Sequence, residues 1–550
     1  MIQDHISDEV RDRYTENGYW GNPTTLDLWD RNARLYPDQE AVVDSRKRLT
    51  WGQCKKWYDR VALGFLELGL KKDDVVVSQL PNMVETLLLM RALEEAGVLN
   101  LPVMTTLRHS EVGYLMKRVS ASGIVIAAKY RNFDYCQMVW DLRSELPDLE
   151  FVFTVGQKTP DGTISLNEMG KRPLEEKYPS DYLYATRIGP YEVKTLRTTS
   201  GTTGEPKIIE YMNQDWLVGK TDADRWKMTG DDIVLALAPV VGGPGGGPAH
   251  WSAPHVAAKV VMIEKFDPEE ALRLIEKERA TLAAGVPAQA MRMVRHPDLD
   301  KYDLGSLRMF TSSGAPCPYS LAREVEERME CKVVCFLGAQ DIGRITSASY
   351  DDPAEVRWYS VGKTYPGNEV RLVDDDGRDV GGGEIGEIIW RGPTVLGSYY
   401  RDLHQTMEVR GGAVDGFVRM GDLAKFDAEG NLYVVDRKKD VIIRGGQNIS
   451  PTEIETLLVT HPKVVNAAVV PMPDPVMGEK ACAYVILKED AIFEFDEMIS
   501  FLKEKKIAPY KLPERLEVLD RFPMAGDGTK VVKKELAQDI ARKLEAEPKG

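Results

Sequence analysis

The stretch Thr198-Thr-Ser-Gly-Thr-Thr-Gly-Glu-Pro-Lys207 carries more information about the fold and the ligand than any other part of this sequence. Its glycines let successive backbone N–H groups converge on an anion, because no Cβ stands in the way. The hydroxyl side chains add further donors, and the lysine adds a mobile positive charge. The stretch therefore predicts a loop that binds a polyphosphate, with a polar turn that binds nothing as the alternative.

This loop differs from the nucleotide-binding loop of P-loop NTPases. That loop has the pattern G-x-x-x-x-G-K-[ST], in which a hydroxyl residue follows the lysine. Here Gly204 is followed by Glu-Pro-Lys, and Ile208 follows Lys207. The residue order therefore indicates a different class of polyphosphate site.

Composition places the chain among large globular proteins. Its 550 residues exceed one hydrophobic core, and the net charge of −15 disfavours nucleic acid or an anionic membrane as the main partner. No apolar run approaches the ~18 residues that suggest a membrane span, and the acidic amino terminus does not resemble a secretion signal. The 6 cysteines and 7 histidines show neither disulfide nor metal spacing, so a cytoplasmic location is expected.

The order of helix and strand patterns predicts the fold class. Over the first ~400 residues the two alternate, which predicts an α/β fold with two helix-covered parallel sheets. Short strands such as Gly416–Arg419 and Asn431–Val435 then predict a small β-rich subdomain, and the remainder has the pattern of an α+β module. The charged stretch Asp436–Asp440 suggests a hinge, although an exposed hairpin turn would have the same composition. We therefore predict a large N-terminal domain, 1–438, and a smaller mobile C-terminal domain, 439–550.

Several segments together resemble motifs of the AMP-forming adenylate synthetases, the family of acyl-CoA synthetases, nonribosomal adenylation domains and luciferases. The loop at 198–207 is similar to that family's Y-T-S-G-T-T-G-x-P-K, with Thr198 in place of the aromatic residue. The other matching segments are Gly386-Glu387, Arg391-Gly-Pro393, Gly397-Ser-Tyr-Tyr400, Phe417-Val-Arg-Met-Gly-Asp422, Asp436-Arg-Lys-Lys-Asp440, Arg444-Gly-Gly-Gln-Asn-Ile-Ser-Pro451 and Glu453-Ile-Glu455. They follow the family order across nearly the whole chain, and the opening segment Tyr14–Trp20 looks most like stand-alone aryl acid-activating enzymes.

The resemblance implies a binding site for ATP. The residues that would contact ATP are Thr199, Ser200, Gly201, Thr202, Thr203, Gly204, Lys207, Gly314, Ala315, Pro316, Gly338, Gln340, Asp422 and Arg437. Within this set, the loop that ends at Lys207 would hold the β- and γ-phosphates, and Asp422 would accept hydrogen bonds from both ribose hydroxyls. Arg437 would contact the ribose or a phosphate, and backbone groups of 314–316 would hold the adenine.

By the same resemblance, Lys530 is the main catalytic candidate, together with Lys207 and Asp341. In the family, the lysine of P-x-T-x-x-G-K bridges the carboxylate and the α-phosphate; this chain reads Phe522-Pro-Met-Ala-Gly-Asp-Gly-Thr-Lys530. The inserted Thr529 leaves open whether Lys530 itself takes the role. Lys533 and Lys534 are expected to begin the last helix instead, and a solvated surface lysine is the plain alternative.

The segment Leu337-Gly-Ala-Gln-Asp341 departs from the family's Y-G-x-T-E. Leu337 cannot stack on adenine as an aromatic ring would. Asp341 replaces the glutamate that usually helps to hold Mg²⁺, but its carboxylate is still a hard oxygen ligand, directly or through water. We therefore expect Mg²⁺ at Asp341. Loss of activity is the alternative, and the presence of Lys207, Asp422 and Lys530 argues against it.

A glycine-rich segment, Pro239-Val-Val-Gly-Gly-Pro-Gly-Gly-Gly247, stands where the family often has an aromatic residue or a histidine beside the acid pocket. The missing side chains at 242 and 243 would open space for a bulky carboxylate, unless a bulky residue from elsewhere fills it. A mobile glycine loop that gates the site is a further alternative. The residues expected to line the acid pocket are Val240, Val241, Gly242, Gly243, Gly314 and Gly338.

The resemblance implies an ATP-dependent carboxylic acid–CoA ligase that works in two steps. The carboxylate first attacks the α-phosphorus and releases pyrophosphate, and a thiol then displaces AMP from the acyl-adenylate. In relatives the C-terminal domain rotates between the steps about the position of Lys439, which brings the region of Gly445 and Gly446 to a thiol tunnel. Free coenzyme A is the expected thiol because the sequence shows no carrier domain. Pantetheine on a carrier protein acting in trans is the nearest alternative.

Two hypotheses from other classes stay open at this point. One is a luciferase-like oxidative enzyme, and the other is a nucleotide-binding protein without catalysis. The sequence is compatible with a monomer or a homodimer, and it does not identify the acid.

Overall fold

The computed structural model of the protein describes residues 7–21, 23–156, 158–198, 206–212, 214–339, 343–395, 398–411, 416–524 and 531–546. Strands and helices alternate along most of this length. The strands are β1 (Glu40–Val43), β2 (Arg48–Thr50), β3 (Val75–Gln79), β4 (Leu99–Pro102), β5 (Gly123–Ala127), β6 (Lys129–Tyr130), β7 (Phe133–Asp134), β8 (Phe151–Val155), β9 (Ile164–Ser165), β10 (Thr195–Thr198), β11 (Ile208–Tyr211), β12 (Ile233–Ala236), β13 (Lys259–Met262), β14 (Leu282–Gly285), β15 (Met309–Ser312), β16 (Lys332–Ala339), β17 (Gly343–Ser347), β18 (Lys363–Thr364), β19 (Glu369–Val373), β20 (Gly386–Arg391), β21 (Val418–Phe426), β22 (Leu432–Arg437), β23 (Ile442–Arg444), β24 (Gln447–Ile449), β25 (Val464–Asp474), β26 (Gly478–Leu487) and β27 (Arg515–Val518).

The α-helices lie mainly between these strands and cover the sheets. They are α1 (Asp8–Glu16), α2 (Thr25–Leu35), α3 (Trp51–Leu68), α4 (Val84–Ala96), α5 (His109–Arg118), α6 (Tyr135–Leu142), α7 (Leu166–Met169), α8 (Gln214–Arg225), α9 (Gly243–Gly246), α10 (Ala253–Val256), α11 (Pro268–Glu278), α12 (Pro287–Val294), α13 (Tyr319–Met329), α14 (Ala354–Tyr359), α15 (Leu403–Val409), α16 (Pro451–Leu458), α17 (Phe495–Glu504) and α18 (Lys533–Ala546). A π-helical turn, Gly247–Ser252, joins α9 to α10.

Two large, mostly parallel sheets form the first part of the molecule. One has seven strands in the order β11-β10-β4-β3-β5-β8-β9, and the other has nine in the order β18-β17-β16-β15-β14-β12-β13-β1-β2. Their central strands are parallel, and antiparallel pairs occur towards the edges, as at β10–β11 and β16–β17. Strands buried on both faces need apolar residues at successive positions, which explains runs such as Val75-Val-Val77. The predicted fold class is confirmed.

Helices α3 and α4 share one core with both sheets. Every residue of α4 is buried, and its Leu87 and Leu88 belong to a cluster that includes Val76 of the seven-stranded sheet and Val234 of the nine-stranded sheet. Burial of one leucine side chain contributes roughly 1.5–3 kcal/mol, so this shared layer holds the two sheets together. The carboxyl ends of the parallel strands, where α/β proteins bind their ligands, are thereby fixed relative to each other.

A four-stranded antiparallel sheet, β19-β20-β21-β22, follows and has its own core around Ile388 and Trp390. This is the predicted β-rich subdomain. The sequence pattern ended one of its strands at Arg419, whereas β21 continues past Asp422 to Phe426 because it pairs on one side with β20 and on the other with β22. The longer strand places Asp422 inside the sheet instead of in a turn.

The C-terminal segment folds around a separate sheet, β24-β23-β26-β25, with β27 parallel to β26. Helices α16 and α17 pack on one face and α18 on the other. The helical spacing predicts an inner stripe of Leu536, Ile540 and Leu544; the first two are buried and Leu544 is partly buried. The division into domains at 438/439 falls between β22 and β23 and stays a prediction. Among the described residues, no helix combines the length and apolar character needed to cross a membrane.

Candidate active site

The predicted phosphate loop starts from the β10–β11 hairpin. Thr198 at the end of β10 pairs with Ile208 at the start of β11, and β10 runs parallel to β4. The loop therefore leaves from the carboxyl edge of the seven-stranded sheet, which is the ligand-binding edge in α/β folds. The predicted ATP contacts Thr199, Ser200, Gly201, Thr202, Thr203 and Gly204 lie outside the described residues.

Lys207 lies beside a second motif that is distant in sequence. Its ammonium nitrogen is 5.2 Å from the centroid of the Tyr399 ring. The segment ending at Tyr400 extends the sheet next to β11, since the Tyr400 N–H donates to the Ile208 carbonyl at 2.8 Å. On the same strand the buried Glu210 accepts a hydrogen bond from the Ser398 hydroxyl, and burial raises the pKa of Glu210 to about 7. Sequence reasoning did not single out Glu210.

The glycine-rich segment is helical from 243 onwards, whereas a mobile loop over 239–247 was one of the alternatives that the sequence left open. It forms α9 and the π-helical turn, with Val240 buried at its start. An added Cβ would meet the Ala238 carbonyl oxygen at 2.3 Å from Gly245 and the Val240 carbonyl oxygen at 2.3 Å from Gly246. Tight packing of the backbone thus overrides the low helix propensity of glycine.

The first two glycines of this segment are placed differently. An added Cβ at Gly243 would meet no described atom within 4 Å, and at Gly242 its nearest neighbour would be the Pro239 carbonyl oxygen at 3.5 Å. These two predicted pocket residues therefore border open space. Val241, the pocket residue before them, is buried.

The predicted adenine loop contacts the glycine-rich segment directly. Gly314 follows the carboxyl end of β15 with a φ of 84°, a left-handed conformation that suits glycine. A Cβ there would lie 3.1 Å from Cγ of Pro244. Ala315 and Pro316 continue the loop, half-buried and exposed respectively. Two segments about seventy residues apart thus form one wall.

Arg197, next to the start of the phosphate loop, reaches the same wall. Its guanidinium donates to the Val241 carbonyl and lies 5.5 Å from the centroid of the Tyr211 ring. Burial lowers the pKa of Arg197. His250, on the π-helical turn, is fully buried, and burial with Arg91 and Arg197 nearby lowers its pKa well below the ordinary value. Sequence reasoning missed Arg197 and assigned no role to His250.

Gly338 of β16 lies against β17. A Cβ on Gly338 would be 2.5 Å from the Gly343 carbonyl oxygen and 3.2 Å from Cδ of Arg344. The Arg344 guanidinium forms an ion pair of 3.3 Å with Asp222 of α8. Neither partner was predicted, since the two are far apart in sequence and neither lies in a recognisable motif. The predicted ATP contact Gln340 and the predicted Mg²⁺ ligand Asp341 are outside the described residues, and among those described no group of three potential metal ligands occurs.

Asp422 and Arg437, the predicted ribose contacts, face each other on β21 and β22. Nε of Arg437 is 3.3 Å from Oδ1 of Asp422. The carboxylate is almost completely buried, whereas the arginine side chain is 48% exposed and can turn towards a ligand. A carboxylate held in this way offers two acceptor oxygens to a diol.

The proposed hinge region follows directly on β22. Asp436 accepts hydrogen bonds from the hydroxyls of Ser450 and Thr452, at the N-terminus of α16. The exposed Lys439 lies in the short turn between the two sheets. The contact of Asp436 with α16 thus ties the two sides of this turn together.

Of the other predicted C-terminal residues, Gly445 and Gly446 lie on a described hairpin turn. Gly445 and Gly446, the predicted tunnel residues, connect β23 to β24 with φ of 56° and 85°. Lys530 lies outside the described residues, but Met524 and Val531 on either side of that gap pair with each other. Lys533 begins α18, as expected, and forms an ion pair of 2.6 Å with Glu455.

Comparisons with known proteins agree with this arrangement. The family model described as AMP-binding enzyme matches residues 29–400, and that described as AMP-binding enzyme C-terminal domain matches residues 453–529. The chain is 31% identical to the 2,3-dihydroxybenzoate-AMP ligase of Bacillus subtilis (strain 168) over 98% of this chain and 97% of that protein. It is 30% identical to the 2-hydroxy-7-methoxy-5-methyl-1-naphthoate–CoA ligase of Streptomyces carzinostaticus over 98% and 97% of the two chains.

Among solved structures, the ATP-bound MatB of Rhodopseudomonas palustris superposes with a TM-score of 0.81 at 27% identity, covering 94% of this chain and 99% of that chain. The likeness extends over both the sheets and the C-terminal segment, in agreement with the two family matches. The protein therefore belongs to the AMP-binding enzyme family of adenylate-forming enzymes.

Proposed function

We propose that this protein is an ATP-dependent, AMP-forming carboxylic acid–CoA ligase that works through an acyl-adenylate. One continuous set of contacts supports this proposal best. Arg197, at the start of the phosphate loop, binds Val241 of the glycine-rich segment, and Pro244 of that segment packs on Gly314 of the adenine loop. Three segments that ATP and the acid would each require are therefore in direct contact at the sheet edges.

The first chemical step joins the acid to ATP. A carboxylate oxygen of the acid attacks the α-phosphorus, the bond to the β-phosphate breaks, and pyrophosphate leaves. Lys207 would hold the terminal phosphates and Asp422 the ribose hydroxyls, which fixes the α-phosphorus in front of the acid. Lys530 would stabilise the negative charge that develops between the acid and the α-phosphate.

The second step transfers the acyl group to the thiol of coenzyme A. The sulfur attacks the carbonyl carbon of the mixed anhydride, and AMP leaves with its phosphate oxygen. Because Lys530 serves the first step only, the C-terminal domain would turn about Lys439 and bring Gly445 and Gly446 to the thiol channel. Mg²⁺, with Asp341 as its proposed ligand, would neutralise phosphate charge when bound.

The decisive experiment is pyrophosphate–ATP exchange across a panel of aryl, alicyclic and short-chain acids, followed by the same panel with coenzyme A. Acid-dependent exchange together with coenzyme A-dependent acyl-CoA formation is the expected result. Exchange without acyl-CoA formation, together with acylation of a pantetheine-bearing carrier protein, would show that the acyl acceptor is a carrier protein and not coenzyme A. Absence of exchange with every acid, in a folded protein that binds ATP, would contradict the proposal and favour a non-catalytic nucleotide binder. Light emission from acyl-adenylate and oxygen without coenzyme A would favour the luciferase-like alternative.

A further inference from the structure

Arg344 occupies the space between the two glycine-bearing walls of the proposed acid pocket. The residue is 5% exposed, and its guanidinium lies 3.5 Å from the centroid of the Phe336 ring and 5.5 Å from that of Trp251. A Cβ on Gly247 would lie 2.1 Å from Nη2 of Arg344. Any side chain at 247 would therefore displace the guanidinium, and the glycine there gives the arginine its place.

The hydrogen bonds of this guanidinium are incomplete. Nη1 of Arg344 donates to Oδ2 of Asp222 at 3.3 Å. Nη2 is buried and has no hydrogen-bond partner within the part of the chain that the structure describes. Buried donors are almost always paired, and an unpaired charged donor is costly. Nη2 therefore keeps an N–H for which the described residues supply no acceptor.

The charge around Arg344 indicates which kind of acceptor fits. Asp222 is fully buried, lies beside the guanidinium, and accepts a hydrogen bond of 2.5 Å from the Tyr365 hydroxyl. The positive charge of Arg344 is thus already offset by one carboxylate. A second carboxylate from a ligand would add another buried negative charge beside Asp222, whereas a neutral oxygen would satisfy Nη2 without that desolvation cost.

We propose that Arg344 is a specificity-determining residue that binds a neutral hydrogen-bond-accepting oxygen on the acyl group, separate from the reacting carboxylate. The substrate class is then an acid with a hydroxyl, ether or ketone oxygen on a body that packs against Phe336 and Trp251. This inference rests on the proposed function, because it takes the segments that hold Arg344 as walls of the acid pocket. The expectation of a neutral acceptor oxygen, however, follows from Arg344 and Asp222 alone.

The test uses pairs of acids that differ in one oxygen, such as hydroxyl against methyl, methoxy against ethyl and ketone against methylene, on benzoate, naphthoate and cyclohexane carboxylate scaffolds. A dicarboxylate of each scaffold completes the set. Binding to the protein with a nonhydrolysable ATP analogue is measured by calorimetry, and kcat/KM by pyrophosphate exchange. We expect at least a ~10-fold preference for the neutral-oxygen member in the accepted scaffold, and weaker binding of the dicarboxylate. Equal binding of both members of every pair would overturn the proposal, because water alone would then satisfy Nη2. Tightest binding of a dicarboxylate would overturn it as well.

Arg344→Met removes the donor and is expected to reduce the preference for the oxygen member to within ~3-fold, a loss that a purely structural arginine would not cause. Preference that survives Arg344→Met would also overturn the proposal. Because this variant leaves Asp222 buried without its cation, the double variant Arg344→Met/Asp222→Asn is measured beside it. If neither variant folds, the preference of the wild-type protein within the pairs decides.

The two proposals fail in different ways. Selective binding of the oxygen members without any exchange would overturn the ligase function and support the role of Arg344. Exchange without preference within the pairs would overturn the role of Arg344 alone. Failure of every acid to bind would count against both.

Discussion

The acid side and the nucleotide side of the proposed site hold their charges in different ways. Arg344 and Asp222 expose 6% and 0% of their side chains, whereas Arg437, the partner of Asp422, exposes 48%. Loss of one member of a buried pair leaves a charge that water cannot reach, while a half-exposed partner can turn from its carboxylate towards a ligand at lower cost. The proposed acid pocket would therefore be preformed within the large sheets, whereas the proposed nucleotide contacts would stay adjustable.

The segments before and after the turn at Lys439 also differ in how firmly they are held. Both sheets of the first part share one core around α4, whereas the C-terminal sheet has cores of its own. Between the two sides, Asp436 holds the N-terminus of α16 through hydrogen bonds that water could replace. We infer that the groups needed in one step only come from the C-terminal side. The predictions below test this division.

The largest effect is expected from Lys530→Ala. If this ammonium stabilises the charge that develops at the α-phosphate, its loss should lower pyrophosphate exchange by ~10²–10³-fold. Thioester formation from a preformed acyl-adenylate should change by less than ~5-fold, because the proposed domain rotation would have removed the lysine from the site by then. Exposed Lys534, at the start of α18, provides the matched control as Lys534→Ala. Equal losses in both half-reactions would remove the assignment of Lys530 to the first step.

The buried carboxyl of Glu210 predicts a pH dependence of the free energy of unfolding. Burial raises the pKa of its carboxyl from 4.5 to about 7. The folded state therefore binds this proton more tightly than the unfolded state, so the contribution to stability is present below about pH 4.5 and is lost as the pH rises through 7. Between pH 5 and 8 the wild-type protein should lose up to about 3 kcal/mol more than Glu210→Gln in its free energy of unfolding.

Denaturant unfolding of both proteins across this pH range measures the effect. Exposed Glu489→Gln serves as control and should follow the wild-type pH dependence. Parallel curves for the wild type and Glu210→Gln would mean that the carboxyl is ionised in the folded protein throughout.

Asp422→Asn tests the proposed contact with the ribose of ATP. The amide keeps the size of the side chain but offers one acceptor oxygen instead of two, so KM for ATP should rise by ~10–100-fold. The KM for the acid should change little, since the acid pocket belongs to other elements. The exposed Asp379→Asn is the control. A larger change for the acid than for ATP would show that the two sides are not separate.

The sequence predicted the layers of this fold better than the contacts of its site. Continuous apolar runs and the closing stripe of Leu536 and Ile540 indicate sheets and helices because burial follows periodicity. No periodic pattern in the sequence indicates that Arg344 pairs with Asp222. It forms only when β17 meets α8, and a single arginine in a strand pattern does not show whether it will be buried or exposed.

In the glycine-rich segment, too, tertiary packing decides the structure and the local sequence does not show it. Glycine favours loops locally, and a mobile loop was therefore one alternative for 239–247. Close packing under the Ala238 and Val240 carbonyls, a tertiary effect, made it helical instead. Motif residues in loops, such as Gly314, could be named from the sequence because the resemblance fixes their order. Their neighbours across the pocket could not.

The smallest effect distinguishes two glycines within this one segment. Gly245→Ala would press a Cβ against the Ala238 carbonyl oxygen at 2.3 Å, and the required shift of backbone should cost about 1–3 kcal/mol in the free energy of unfolding. Gly243→Ala meets no described atom within 4 Å and should be neutral or stabilise by up to ~1 kcal/mol, because alanine has less freedom in the unfolded chain. Denaturant unfolding of the two variants gives the comparison directly. If Gly243→Ala were the more damaging of the two, the open space beside 242–243 would not exist, and the acid pocket would have to lie elsewhere.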